Sequence, residues 1–207
     1  MLPFRSPDCL PCRSVLRVTH GAFKLRPMIP TLETERLSLR GWRPDDFDAY
    51  ARWMADEDVT RHLSGEPLLR EEAWRNMATV IGHWALRGYG MWAVERKADG
   101  ALVGRVGLWN PEGWPALEVG WTLGKEHWGR GYAREAARAA MDYAFLTQNV
   151  ARLISVIDVG NSASQKVAEA LGEICGERRV MTHRGKEFTV DIWSIERTAW
   201  QTQRATA

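Results

Sequence analysis

The spacing of hydrophobic residues changes several times along the chain, and each change predicts a different element. Residues 36–40 alternate between polar and apolar side chains, which is typical of a half-buried strand. Helical spacing follows, first from Pro44 with acidic residues in the first turn, and then over residues 70–86 until Gly88. This region therefore predicts one strand followed by two helices.

From residue 91 onward, short apolar runs alternate with turn residues. Asp99-Gly100 predicts a tight hairpin turn, and residues 131–146 have the narrow apolar stripe of a helix that sits close to a sheet. The other predicted elements are strands 91–95, 102–109, 117–123, 153–157 and 188–195, the last after a turn at Arg184-Gly185, and a helix over 161–171. An antiparallel meander followed by a β-α-β crossover indicates an α+β domain with a mixed sheet and helices on its faces.

The composition is that of a single globular domain. The chain has 207 residues, 45% hydrophobic and 26% charged, with no apolar run near the roughly 20 residues that cross a membrane. Residues 1–27 have a net charge of +4 and the whole chain +2, which leaves −2 for the rest. We therefore expect neither a membrane nor a nucleic-acid partner.

The ends of the chain differ from its centre. Residues 1–30 are rich in proline and lack sustained periodicity, which predicts a disordered or loosely attached tail. We place the folded domain at residues 31–200 and a second tail at 201–207.

The three cysteines do not form a recognisable site. Cys9 and Cys12 make a lone Cys-x-x-Cys pair, and the only later cysteine is Cys175, so we expect no metal. Few cysteines and no export signal indicate a cytoplasmic location.

The most specific motif is Trp128-Gly129-Arg130-Gly131-Tyr132-Ala133, between a predicted strand and a predicted helix. Glycines let several backbone N–H groups point at one anion, the helix adds its unpaired N–H groups, and Arg130 and Arg134 add positive charge. The loop suits a pyrophosphate, and a tight helix-entry turn is the alternative. It lacks the Gly-Lys-Ser/Thr of nucleotide triphosphate loops, and the antiparallel strands before it exclude a dinucleotide-binding β-α-β unit.

In this position the loop resembles the acetyl-CoA signature of the GNAT N-acetyltransferase superfamily, Gln/Arg-x-x-Gly-x-Gly/Ala. Gly131 and Ala133 match its last two fixed positions, and Trp128 replaces the usual Gln or Arg, as in the RimJ/RimL-like branch. Further segments that resemble this branch are Thr31-Leu32-Glu33-Thr34-Glu35-Arg36-Leu37 with Arg40, Glu118-Val119-Gly120-Trp121, and Asn161-Ser162-Ala163-Ser164 with Leu171-Gly172.

The resemblance implies a three-layer α/β/α fold in which the fourth and fifth strands splay apart. The pantetheine of acetyl-CoA would insert there against the fourth strand, and the glycine loop would hold the pyrophosphate. The cofactor-binding residues implied in this way are Val119, Trp121, Leu123, Trp128, Gly129, Arg130, Gly131, Tyr132, Ala133, Arg134, Asn161 and Ser164.

Direct acetyl transfer needs an uncharged amine, a stabilised oxyanion and a proton for the departing thiolate. Glu118 is the candidate base, and a solvated strand carboxylate is the alternative. Many superfamily members place a tyrosine seven residues after the asparagine, but here that position is Ala168. Ser164 is then the candidate hydroxyl near the sulfur, and a helix cap shared with Asn161 is the alternative.

Residues beside the loop and three tryptophans could also belong to the site. We interpret His127 and Glu126, which precede the loop, as structural. Trp109, Trp114 and Trp121 are expected to line the amine site, and core packing is the alternative.

The resemblance implies an enzyme that moves an acetyl group from acetyl-CoA to a primary amine, of a protein N-terminus or a small molecule, in a ternary complex. The missing tyrosine keeps a non-catalytic acyl-CoA sensor open as the alternative. The eleven tryptophans also leave a homodimer open.

Overall fold

The computed structural model describes residues 29–63, 65–183 and 186–205. Its strands are β1 (Leu32–Glu33), β2 (Leu37–Arg40), β3 (Met91–Arg96), β4 (Leu102–Trp109), β5 (Glu118–Leu123), β6 (Arg152–Asp158), β7 (Ile174–His183) and β8 (Lys186–Glu196). Its helices are α1 (Phe47–Met54), α2 (Glu57–Thr60), α3 (Arg70–Arg87), α4 (Tyr132–Thr147), α5 (Ser162–Leu171) and α6 (Arg197–Ala205). The predictions for residues 1–28, for Cys9 and Cys12, and for the Arg184-Gly185 turn lie outside the described residues.

The eight strands form one sheet in the order β1-β2-β3-β4-β5-β6-β8-β7. β5 and β6 are parallel because α4 carries the chain from one to the other, and the remaining neighbours are antiparallel. The β5–β6 pairing consists of one residue pair, Glu118 with Ile154, whereas β4 and β5 pair along six positions. The two strands therefore diverge after Glu118, and the predicted α+β fold with a splayed strand pair is confirmed.

The two faces of the sheet carry different helices. On β4 and β5, Val106 and Val119 belong to the core cluster that includes the alanines of α4. Alternate positions point the other way: the side chain of Arg105 reaches Tyr50 on α1 and Asn76 on α3. The side chains with little exposure in α4 are mostly alanine, which lets this helix lie close to the sheet. The third layer is formed by α1, α2 and α3, whose buried residues make a separate cluster except at the end of α3, where Trp84 joins the main core.

A buried ion pair joins the start of α1 to the sheet. Arg40 donates through Nη1 and Nη2 to the two carboxylate oxygens of Asp46, each at 2.8 Å, and through Nε to Glu95 at 2.7 Å. The hydrogen bonds that Arg40 donates to Asp46 raise the pKa of Arg40. Removing one partner would leave a buried charge unpaired, a change that typically costs about 3–5 kcal/mol.

Both predicted domain boundaries lie inside structured segments. Ile29 packs against the core, and the carbonyl of Pro30 accepts a hydrogen bond from Trp92 Nε1 at 2.7 Å. At the other end, the boundary at residue 200 falls within α6. Trp200 is only 4% exposed, lies 5.0 Å from the Phe145 ring and donates to Asp142. Among the described residues of α6, Trp200 is the only buried one. A single apolar position does not make a helical period, so the sequence pattern did not predict this helix.

Candidate functional site

A cavity of about 390 Å³ opens where β5 and β6 diverge. Its walls combine residues from both strands with residues from the α1–α3 layer. The predicted site residues that line it are Glu118, Val119, Trp121, Asn161 and Ser164, and Trp109 and Trp114 line it too. The sheet's divergence thus brings together residues up to 55 positions apart in the sequence.

Glu118 is the acidic group nearest the point of divergence. It is 9% exposed, so it is a buried carboxyl and not a solvated one. Trp114 Nε1 donates to its Oε2 at 2.7 Å, and the backbone N–H of Val156 points at Oε1 from 3.5 Å. Burial disfavours the charged form and raises the pKa of Glu118 to about 8, although both hydrogen bonds and Arg105 oppose the shift.

A second buried carboxyl lies behind the strand gap. Ser155 on β6 places its Oγ 2.8 Å from the Val119 carbonyl and 3.0 Å from Glu173 Oε1. Glu173 Oε2 is buried with no hydrogen-bond partner among the residues described. Burial raises the pKa of Glu173 to about 8, and the charge of Glu118 pushes it in the same direction. The sequence analysis missed this residue.

The side chains at the start of α5 have separate roles. Asn161 Oδ1 caps the helix by accepting from the backbone N–H of Ser164 at 3.0 Å. The hydroxyl of Ser164 instead accepts from Trp121 Nε1 at 3.2 Å. Its own proton is therefore free to be donated. Ala168 is fully buried against Ile157 and Trp193, so apolar packing occupies that position.

The glycine loop has the geometry of an anion site. Gly129 and Gly131 have φ values of +70° and +76°, which disfavour any side chain, and Gly131 is the N-cap of α4. The first N–H groups of α4 have no intrahelical acceptor and face outward at the positive end of the helix. The loop residues do not line the cavity, so the two form separate parts of the site.

A network from the N-terminal motif braces this loop. Glu135 on α4 accepts from Thr34 Oγ1 at 2.6 Å and from the backbone N–H of Arg36 at 2.8 Å. Arg36 Nε donates to Glu135 Oε2 at 2.7 Å, and its Nη1 donates to the Arg130 carbonyl at 3.0 Å. Hydrogen bonds from Thr34 and Arg36 lower the pKa of Glu135 against the effect of burial.

The other predicted loop residues divide between packing and exposure. Trp128 Nε1 donates to the carbonyl of Leu123 at 2.9 Å, so the tryptophan ties the loop to the end of β5. Tyr132 is buried beneath the Arg36 guanidinium, 4.8 Å from the ring centroid. Arg130 and Arg134 are exposed and Ala133 is partly buried. Two exposed arginines thus flank the free N–H groups.

His127 and Glu126 lie outside the cavity. His127 is buried, and burial lowers its pKa, while its Nδ1 has no partner among the described residues. Glu126 Oε1 accepts from Trp53 Nε1 at 3.3 Å. These contacts agree with a structural interpretation of both residues.

The sequence analysis missed two polar groups in the cavity wall. His62, just after α2, lies with Nδ1 3.0 Å from Asp158 Oδ1 at the end of β6. Arg105 on β4 donates to Tyr50 and Asn76. The partners of His62 and Arg105 lie 29 to 96 positions away in the sequence, so no local pattern could have predicted these contacts.

The loop and the strand gap match a known family. A model of the acetyltransferase (GNAT) domain matches residues 36–173, more than half of the chain. The chain belongs to the GNAT acetyltransferase family. The resemblance found in the motifs is thereby confirmed. GNAT enzymes take the acetyl group from acetyl-CoA, and this GNAT chain is an acetyl-CoA-dependent acyltransferase.

The chain is also similar to individual proteins and solved structures. The chain is 35% identical to YkkB of Bacillus subtilis over 150 residues, which cover 68% of this chain and 83% of YkkB. An acetyltransferase of Agrobacterium tumefaciens superposes with a TM-score of 0.71 and 32% identity, covering 81% of this chain and 95% of that one. RimL, a ribosomal L7/L12 α-N-protein acetyltransferase solved with coenzyme A, has the same fold, with a TM-score of 0.68, 18% identity, and coverage of 82% and 99%.

The described residues show neither a membrane-spanning helix nor a metal-binding cluster. No helix among them is long and apolar enough to span a bilayer. In the same residues, no three His, Cys, Asp or Glu side chains converge to hold a metal ion.

Proposed function

We propose that this chain transfers the acetyl group of acetyl-CoA directly to a primary amine, of a protein N-terminus or of a small molecule, in a ternary complex. The observation that carries the proposal is the presence of a buried carboxyl, Glu118, and of a hydroxyl that accepts from Trp121, Ser164, in the wall of one cavity at the strand gap. Such a pair can take a proton from the amine and return one to the thiolate.

The residues present fit acetyl-CoA. After Glu118, β5 has no strand partner among the described residues on the side of the gap, which leaves backbone groups of Val119, Trp121 and Leu123 for the pantetheine amides. The carbonyls of Val119 and Leu123 also accept from Ser155 Oγ and Trp128 Nε1, respectively. The loop at Gly129 and Gly131 offers free N–H groups for the pyrophosphate. When bound, acetyl-CoA supplies the activated acetyl thioester.

Glu118 is the base in this proposal. A carboxyl whose burial raises its pKa to about 8 holds a proton more strongly than an ordinary glutamate does. It can therefore accept a proton from an alkylammonium acceptor with a smaller free-energy penalty. Glu118 lines the cavity directly, so no displacement of the fold is needed for it to meet the amine.

Ser164 is the proton donor. The uncharged amine forms a C–N bond to the acetyl carbon while the C–S bond breaks and its electron pair stays on sulfur. Glu118 passes the first proton of the ammonium to solvent and then takes the second proton from the amine nitrogen, while Ser164 donates its hydroxyl proton to the sulfur and regains one from solvent. Backbone N–H groups near Val119 and Gly120 stabilise the negative charge that develops on the acetyl oxygen. The products are an amide and a thiol.

The experiment has two measurements on the full chain. Thermal unfolding with acetyl-CoA at 100-fold over its Kd should show a stabilisation of about 2.7 kcal/mol. Thiol release is then followed with a panel of small amines and peptides, and initial rates at varied concentrations of both substrates should give intersecting lines. Parallel lines would indicate a covalent enzyme intermediate and refute direct transfer.

A matched pair of variants tests the assignment of the hydroxyl. Ser164→Ala should lower kcat, whereas Ser162→Ala, exposed on the same helix turn, should not. Binding of acetyl-CoA without thiol release for any amine or peptide would refute the proposal.

A further inference from the structure

Arg105 is a partly buried cation in the wall of the cavity, and its partners are neutral. Its Nη1 donates to Tyr50 Oη at 2.7 Å and to Asn76 Oδ1 at 3.1 Å, and its Nε lies 3.4 Å from Thr122 Oγ1. Within the described part of the chain, no carboxylate forms an ion pair with it. A guanidinium removed from water normally acquires an anionic partner, so this one has capacity for an anion.

The guanidinium is held in place from two helices. Tyr50 on α1 is fully buried, and its hydroxyl also donates to Asn76 Oδ1 at 2.5 Å on α3. The Tyr50 ring lies 5.7 Å from the guanidinium carbon of Arg105. A cation held by a buried tyrosine and a partly buried asparagine loses little conformational entropy when it binds an anion, which favours a binding role.

The sheet between Arg105 and Glu118 has a trough. Trp109 pairs with Glu118, Gly107 with Gly120, and Arg105 with Thr122, so a glycine pair separates the carboxyl from the guanidinium on this face. A Cβ at Gly120 would lie 3.0 Å from Met91 Cε and 3.2 Å from Glu118 Oε1. Glycine at this position therefore keeps space open beside the carboxyl of Glu118.

Part of the wall is apolar, and other parts of it carry polar side chains such as His62 and Asp158. The apolar side chains around the trough are Met54, Leu68, Val80 and Met91. Such side chains suit a hydrocarbon chain. Arg105 lies opposite Thr122, four residues after Glu118, and four residues along a strand span about 13 Å. The side chains of Arg105 and Glu118 both extend into this span, so the distance between the guanidinium and the carboxyl is shorter. The distance fits groups separated by several methylenes better than groups on one carbon.

We propose that Arg105 binds a carboxylate of the acetyl acceptor, so that the acceptor is a small primary amine with a carboxylate at the far end of an aliphatic chain. This inference rests on the proposed function, since it places the amine at Glu118. Arg105 is then a specificity-determining residue, and the trough between the two strands is the acceptor subsite.

The test compares ω-amino carboxylates with their amides, because a remote carboxylate leaves the basicity of the amine nearly unchanged. The probes are 4-aminobutanoate and 6-aminohexanoate against 4-aminobutanamide and 6-aminohexanamide, with thiol release as the readout. For at least one chain length, kcat/KM should be about tenfold or more higher for the carboxylate than for its amide.

Variants then assign the preference to Arg105. Arg105→Gln should bring the carboxylate-to-amide ratio close to one through a rise in the KM of the carboxylate, and Arg105→Lys should retain part of the ratio. Arg75→Gln removes the same charge from an exposed position next to Asn76 and should preserve the ratio. A purely structural role for Arg105 would lower the rates with both members of a pair equally.

Each result of these assays either supports or contradicts carboxylate binding by Arg105. If the wild-type enzyme acetylates the amides at the same rate as the carboxylates, the inference is wrong and acetyl transfer stays intact. The same holds if the enzyme acetylates only amines outside these pairs. No acetyl-CoA binding and no thiol release with any amine would remove the proposed function as well. If Arg105→Gln does not fold, the wild-type ratio and the Arg105→Lys variant still decide.

Discussion

Glu173 contributes to a pH dependence of the stability of this fold, and Glu173→Gln should remove that contribution. Burial raises the pKa of Glu173 to about 8 from 4.5. In the unfolded chain the residue loses its proton near pH 4.5, but the folded chain keeps the proton until about pH 8. The folded state therefore binds more protons between these values, and its stability falls as pH rises through this interval.

The expected size follows from the same shift. At pH 7 the unfolded residue is ionised and the folded one is protonated, and the difference of about 2.5 pH units corresponds to roughly 3 kcal/mol at most. Glutamine does not titrate and can still accept the hydrogen bond from Ser155. The free energy of unfolding of Glu173→Gln should thus exceed the wild-type value by up to this amount at pH 7, and by little at pH 5.

The assay is urea unfolding followed by tryptophan fluorescence at pH 5, 6, 7 and 8. Glu118 is present in both proteins, so the difference between them reports Glu173 together with its charge coupling to Glu118. Glu169→Gln removes an exposed carboxylate four residues earlier and serves as the control, with a difference near zero at each pH. A Glu173→Gln difference that does not grow with pH would show that the folded protein ionises Glu173 freely, and the reasoning would be wrong.

Four further variants test the site. Glu118→Gln should lower kcat by about 10²–10⁴-fold and remove the rise in activity that its pKa of about 8 predicts with increasing pH; an unchanged kcat and pH profile would exclude it as the base. Ser164→Ala should lower kcat and leave the melting temperature intact, whereas Asn161→Ala should cost about 1 kcal/mol of stability by removing the cap of α5. The opposite pattern would make Ser164 the cap. Gly131→Ala forces a side chain into a φ of +76° at a cost of about 1–2 kcal/mol, and calorimetry should show weaker acetyl-CoA binding, an equal Kd being the contrary result.

Local sequence was sufficient for most of the elements. The alternation at residues 36–40, the Asp99-Gly100 turn and the small-residue stripe of α4 all formed the structures that they predict, because each pattern expresses geometry within a few residues. The Gly131 loop was also recognisable locally, since positive φ and free N–H groups are properties of one short segment. The short β1 and α2 had too few residues to show a period.

The tertiary structure alone decided which side chains meet and how strongly they hold protons. Glu118 is a strand residue in the sequence, but it is a buried acid because β6 and Trp114 close around it. Arg105 gains Tyr50 and Asn76 from two helices, and α6 depends on one tryptophan in contact with Phe145. Periodicity predicts which face of an element is buried, whereas desolvation and hydrogen bonding depend on partners that are distant in the chain and meet only when the sheet assembles.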